Sequence, residues 1–135
     1  VESRGLGDVY KRQRWGRIGD SPVIGAGTYA DNNSCAVSCT GHGEYFIRHA
    51  VAFDVCARYK YLKESVEKAA DYIIHTELNT NAGNGGLIAV DKLGNIAMPY
   101  NSGGMFRGFL YKEKGSPEIK KGCGIGKKIV VVGEK

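Results

Sequence analysis

One hundred and thirty-five residues, 42% apolar, 24% charged and 10% aromatic, describe one globular domain or a piece of one. Ordinary apolar content excludes a disordered chain, the lack of any run of about 18 apolar residues excludes a membrane-spanning helix, and twenty glycines without a three-residue period exclude collagen. The net charge of +5 sits at the ends, +1 in residues 1–13 and +4 in residues 112–135, and no aromatic follows Tyr111 to stack on bases, so nucleic-acid binding is not expected.

Residues 1–13, VESRGLGDVYKRQ, show no apolar period and no initiator methionine. One codon choice for DVYKRQ reproduces the end of a transposase adapter used in sequencing libraries. These thirteen residues are therefore expected to be a translated assembly artefact, and residues 14–135 the protein proper. A glycine-punctuated loop follows over residues 19–33. Residues 34–40, SCAVSCT, alternate as a strand, with Cys35, Val37 and Cys39 on one side and Ala36, Ser38 and Thr40 on the other. Small residues on both sides suit a buried sheet.

From Glu44 to about Tyr61 the period becomes helical, with Phe46, Ile47, Ala50, Val51, Phe53 and Ala57 in an apolar stripe. A second helix is expected over residues 65–78, capped by Ser65, with Val66, Ala69, Ala70, Ile73 and Ile74 inward. Residues 87–91 and 95–100 read as antiparallel strands joined at Lys92-Leu93-Gly94. Further strands are expected at 105–111 and 129–132, and the lysines beyond Tyr111 read as a solvated tail. The order gives an α+β fold in which helices pack on an antiparallel sheet. Four cysteines without CxxC or HxxxH spacing support neither a zinc site nor a disulfide framework, and buried free thiols are expected.

Two clusters could carry chemistry. Arg17 and Asp20, three apart on a glycine loop, could clamp the carboxylate and ammonium of an amino acid, or simply form a local salt bridge. Thr40-Gly41-His42-Gly43-Glu44 places a hydroxyl and unencumbered backbone N–H groups at a strand end, suitable for an oxyanion, or for a plain helix entry capped by the threonine. His42 and Glu44 are possible acid–base groups that neither reading requires.

The string GRIGDSPVIGAGTYADNNSCAVSCTGHGEYFIRHAVAFDVCA, followed by GGLIAVDKLGNIAMPYNSGGMFRG, closely resembles the plant-type asparaginase/isoaspartyl peptidase family of N-terminal-nucleophile hydrolases over about residues 14–110. TGHGE, rather than TGDGD, favours the isoaspartyl peptidase branch over lysosomal glycosylasparaginases. The resemblance implies an αββα sandwich and a precursor that cleaves itself into α and β subunits. The freed N-terminal threonine attacks the side-chain amide of asparagine or a β-aspartyl peptide bond. It further implies that Arg17 binds the substrate carboxylate and Asp20 its ammonium. Thr40 and Gly41 would supply oxyanion-hole donors, and Gly43 would line the pocket.

The family's threonine-led strand and its TSTGG-like segment do not occur in these residues, so the chain reads as an incomplete β subunit. The α subunit, with the family's metal-binding loop, is absent too. Alone, the chain is expected to be inactive and aggregation-prone, without cofactor or metal of its own. In the parent enzyme, implied to be a cytoplasmic αβ heterotetramer, it would meet L-asparagine and β-aspartyl peptides. The competing reading is a non-catalytic amino-acid-binding or interaction module of the same descent.

Overall fold

The computed structural model describes residues 16, 18–112, 119–125 and 130–134. The thirteen residues read as adapter-derived, and Arg17, lie outside the described residues. Four strands, β1 (Thr28–Ala30), β2 (Cys35–Gly41), β3 (Gly85–Asp91) and β4 (Ile96–Ala97), form an antiparallel sheet in that order. Its register pairs Thr28 with Ser38, Val37 with Ala89 and Val90 with Ile96. A second antiparallel sheet has the order β5 (Phe106–Lys112), β6 (Ile119–Ile125), β7 (Val130–Glu134). Helices packed on antiparallel sheet make the chain α+β, as the order of elements predicts. Among the described residues, no helix is long and apolar enough to cross a membrane.

Three helices lie between β2 and β3. They are α1 (Gly43–Arg48), α2 (Val51–Ala57) running into a π-helical turn over Arg58–Leu62, and α3 (Val66–Tyr72) running into another over Ile73–Leu78. Ser65 caps α3 by accepting a hydrogen bond from Lys68 N at 3.3 Å. The inward positions read from its period, Val66, Ala69, Ala70, Ile73 and Ile74, are all buried. The predicted helix from Glu44 to Tyr61 is instead two helices, because Ala50 turns left-handed at φ +46° between them. That turn shifts the stripe: Phe46, Val51, Ala52, Val55 and Cys56 are buried, while Ile47, Ala50 and Phe53 are exposed.

Three further expectations change. The glycine loop over residues 19–33 contains β1, which adds to the edge of β2. The lysine-rich end is not all tail, since β6 lies between β5 and β7 in the second sheet. Strand β4 covers only two residues of the expected return, with Tyr100 bridging to Gly86 beyond it.

Alternation along β2 divides the first sheet into two faces. Cys35, Val37 and Cys39 on β2, with Leu87 and Ala89 on β3, pack under α2 and α3. Each fully buried Val, Leu, Ile or Phe side chain there stabilises by roughly 1.5–3 kcal/mol. Ala36, Ser38 and Thr40 point the other way and are exposed, beside Ile88 and Val90 at 48% and 42% exposure. The expectation of a sheet buried on both sides therefore holds for one face among the described residues.

Candidate functional site

The end of β2 and the loop before β1 meet at three glycines. Asp20 opens a turn in which Val23 N donates to Asp20 O at 2.9 Å, and Ala26 N and Gly27 N each donate to Val23 O at 3.1 Å. Gly27 lies so close on this turn that a Cβ there would fall onto the Asp20 backbone and within 2.7 Å of Ser21 Cα. A side chain at Gly43 would stand 2.9 Å from Asp20 Oδ1. Between them Gly41 adopts φ +152°, where a Cβ would fall onto Asn84 O and 2.6 Å from Gly85 Cα. Of the three, Gly43 leaves room for the Asp20 carboxylate itself, Gly27 for the backbone of its turn, and Gly41 for the close approach of β3 to β2.

Asp20 is only 4% exposed, and its Oδ2 has no hydrogen-bond partner among the described residues. Burial pushes its carboxyl above the usual carboxylate range, and the Glu44 carboxylate adds to the rise. A buried acceptor left in this state favours a cationic donor.

The ladder orients the backbone next to it. His42 N donates to Asn84 O at 2.8 Å, so residues 42 and 84 form a hydrogen-bonded pair, whereas Gly41 and Gly85 face each other without exchanging bonds. The Gly41 N–H therefore points to the opposite edge of β2. At that edge Cys39 N donates to Gly27 O at 2.8 Å, and the Asp20 turn lies beyond it. Thr40 is exposed on the open face of the sheet.

Asp20, Gly41 and Gly43 therefore come together, with Thr40 one residue away along the strand. His42 and Glu44 are both exposed. His42, not Thr40, occupies the N-cap of α1, and its side chain makes no capping bond, so the threonine is not spent on helix entry. Arg17, the other half of the expected clamp, lies outside the described residues.

Two supporting residues went unnoticed in the sequence. Gly27 read as one glycine among several. Asn101 pins the start of β3 beside Gly41: its Oδ1 accepts from Gly85 N at 2.8 Å, and its Nδ2 donates to Gly83 O at 2.8 Å and Ile74 O at 3.3 Å. A single asparagine after Pro99-Tyr100 carries no signal of that role.

Among the described residues, no group of three or more His, Cys, Asp or Glu side chains is placed to hold a metal ion. A separate cleft of about 750 Å³ is lined by Asp71, His75, Tyr100, Asn101 and Arg107 among others, and shares no lining residue with the Asp20 site.

Known proteins match this part of the chain. A family profile described as asparaginase covers residues 8–119. The isoaspartyl peptidase of Salmonella typhimurium is 51% identical over 96 residues, which is 71% of this chain and 31% of that protein. The isoaspartyl peptidase of Escherichia coli is 46% identical over 110 residues, 74% of this chain and 34% of that protein. A probable isoaspartyl peptidase/L-asparaginase 2 from Arabidopsis thaliana is 52% identical over 93 residues, 69% of this chain and 28% of that protein. The chain thus spans about a third of the length of the curated relatives it matches.

Proposed function

The chain belongs to the asparaginase family, and from that premise we propose that it forms the substrate-binding part of a hydrolase acting on β-aspartyl peptides and the side-chain amide of L-asparagine. One observation carries the reading: the buried Asp20 carboxylate has an oxygen without a partner among the described residues, and Gly43 keeps the space beside its other oxygen free.

Asp20 would accept the substrate's α-ammonium, and Arg17 would hold its α-carboxylate through a two-pronged hydrogen bond. The scissile carbonyl then lies near the end of β2. There the Gly41 N–H and the Thr40 hydroxyl would donate to the oxygen as it gains negative charge, and Gly43 would line the pocket. The attacking threonine, the metal-binding loop and the partner subunit of an αβ heterotetramer would come from outside these 135 residues, with residues 1–13 no part of the native protein. Removing one member of a cooperative catalytic unit costs on the order of 10⁴–10⁶ in rate, so this chain alone is assigned binding without turnover.

The test is a titration with L-aspartate and a hydrolysis assay with a β-aspartyl dipeptide, both on the purified chain. Expected are binding that changes little with salt and is lost in Asp20→Asn, and no dipeptide hydrolysis. Binding that collapses as salt rises, or survives Asp20→Asn, overturns the site. Hydrolysis by sequence-verified chain overturns the assignment of the nucleophile to another segment. Sequencing the source DNA across the Gln13–Arg14 junction tests the reading of residues 1–13; their presence after a genuine start codon would favour a binding module.

A further inference from the structure

Strand β2 sends Cys35 and Cys39 into the core, and α2 lays Cys56 against the first of them. The sulfurs of Cys35 and Cys56 stand 2.9 Å apart, with the two residues 3% and 2% exposed. That separation is less than an ångström beyond the covalent S–S length of about 2.05 Å, so closing the bond asks little of the backbone. The Cys56 thiol donates to Cys35 O at 3.2 Å, which leaves the Cys35 thiol to donate to Cys56 Sγ. Cys39, on the same face, has no such partner in the described hydrogen bonds and serves as an internal control. Cys123 is exposed.

The pair is chemically unequal. Its shared hydrogen bond holds the Cys35 proton in place, raising that thiol, and by the same bond lowers Cys56, which becomes the thiol that ionises first. Burial raises Cys39 instead. The fully buried Ser34 hydroxyl lies beside the pair and has no well-formed hydrogen bond of its own.

We propose that Cys35 and Cys56 are a reversible redox pair, closed to a disulfide by a hydroperoxide, which ties α2 to β2 around the segment carrying Thr40, Gly41 and Gly43. The Cys56 thiolate attacks one peroxide oxygen; the O–O bond breaks and hydroxide leaves, taking a proton to become water. Cys56 is then a sulfenic acid. Cys35 gives up its proton as its sulfur attacks Cys56 Sγ, the S–S bond forms, the S–OH bond breaks and a second water departs. Two thiols lose two electrons and one hydroperoxide gains them. A dithiol reductant reverses the step by exchange. Because both sulfurs are buried, the rate is set by brief opening of α2, whose entry turns through the left-handed Ala50.

The test treats the folded 135-residue chain with hydrogen peroxide, quenches it with an alkylating agent in denaturant and maps the peptides. The expected product joins the Cys35 and Cys56 peptides with loss of two hydrogens and leaves Cys39 alkylated. It melts roughly 5–15 °C higher, the gain expected from closing a loop of about 20 residues in a domain of this size. Dithiothreitol should reverse both changes, Cys56→Ser should abolish them and Cys39→Ser should keep them. Recovery of Cys35 and Cys56 as alkylated thiols, or a mixture of pairings like that from unfolded chain, overturns the proposal. The map of the unsubstituted chain decides the matter even where a variant fails to fold.

Discussion

Asp91, the last residue of β3, and Asp20, in the loop before β1, are both buried carboxylates, 7% and 4% exposed, at opposite ends of the first sheet's ladder, and among the described residues only one of them has its hydrogen bonds filled. Asp91 closes the β3–β4 turn. Its Oδ1 accepts from Leu93 N and Asn95 N, both at 2.9 Å, and its Oδ2 accepts from Asn95 Nδ2 at 2.8 Å. Burial works against its charge, but bonds from Asn95 and the turn's backbone outweigh that cost and hold the carboxyl below its usual range. Asp20 has one oxygen without a partner among the described residues and lies above that range. A carboxylate satisfied by its own loop is a structural part. One buried at comparable depth and left open is the feature on which the proposed binding site rests.

The largest effect expected from this contrast falls on glycines. Gly94, in the Asp91 turn, needs only its φ of +90°, because no atom lies within 4 Å of a Cβ there. Gly41, at the end of β2 toward Asp20, would offer an added Cβ neither a favourable angle nor room, because the backbone of Asn84 and Gly85 lies against it. Gly94→Ala should cost about 1–2 kcal/mol, the strain of one left-handed residue. Gly41→Ala should cost about 4 kcal/mol or more, since backbone atoms of β3 must move. Urea melts of the two variants check this, and equal losses would break the claim that β2 and β3 approach at Gly41 as closely as only a glycine allows.

The carboxylates themselves should respond with opposite signs. Asp91→Ala removes three accepted bonds and should destabilise by about 2–4 kcal/mol. Asp20→Asn removes a buried charge that lacks a partner among the described residues, and should stabilise the unliganded chain by about 1 kcal/mol while abolishing L-aspartate binding. Asp91, depressed in the fold, contributes stability that is fully present above the unfolded pKa of about 3.9 and is lost as pH falls through its folded value. Asp20, raised in the fold, costs stability as pH rises from the unfolded value through the folded one, so the gain from Asp20→Asn should be present at pH 7 and vanish below about pH 3. Melting curves of both variants against pH test the signs, and a gain for Asp20→Asn that persists in acid would remove the charge from the explanation.

The legibility of these regions in the sequence follows from where their contacts come from. The alternation of β2 and the period of α3 were legible because each packs against a single core face. Asp91 was legible only as the residue before a turn. The break at Ala50 was hidden because the first turn of α2 is capped by loop backbone: Ala52 N donates to Ala26 O at 3.0 Å and Phe53 N to Gly25 O at 2.8 Å, so no capping side chain marks it. Strand β6 was hidden by its composition, since Lys120, Lys121, Gly122 and Gly124 read as tail. Asp20, Thr40, Gly41 and Gly43 were singled out as candidates chiefly through a resemblance, and the crowding at Gly41 was hidden because it comes from Asn84 and Gly85, more than forty positions downstream.

The same distinction between satisfied and open positions extends to the sheet, with the smallest expected effect. Leu87 and Ile88 are neighbours on β3; the first is fully buried under the helices and the second is 48% exposed on the open face. Beside Ile88 stand Val90 and the small side chains Ala36 and Ser38, a flat apolar strip of the kind that a second sheet covers in a sandwich. In the chain alone, Ile88→Ser gives up only about half the side chain's area and should cost about 1 kcal/mol, while slowing aggregation. In an assembled family enzyme carrying the equivalent change, a covered isoleucine would be lost at about 2–5 kcal/mol. The difference between the two measurements reports the cover itself. A loss of several kcal/mol in the isolated chain would mean that Ile88 is already packed there, and the open face would no longer be the apolar counterpart of the open carboxylate.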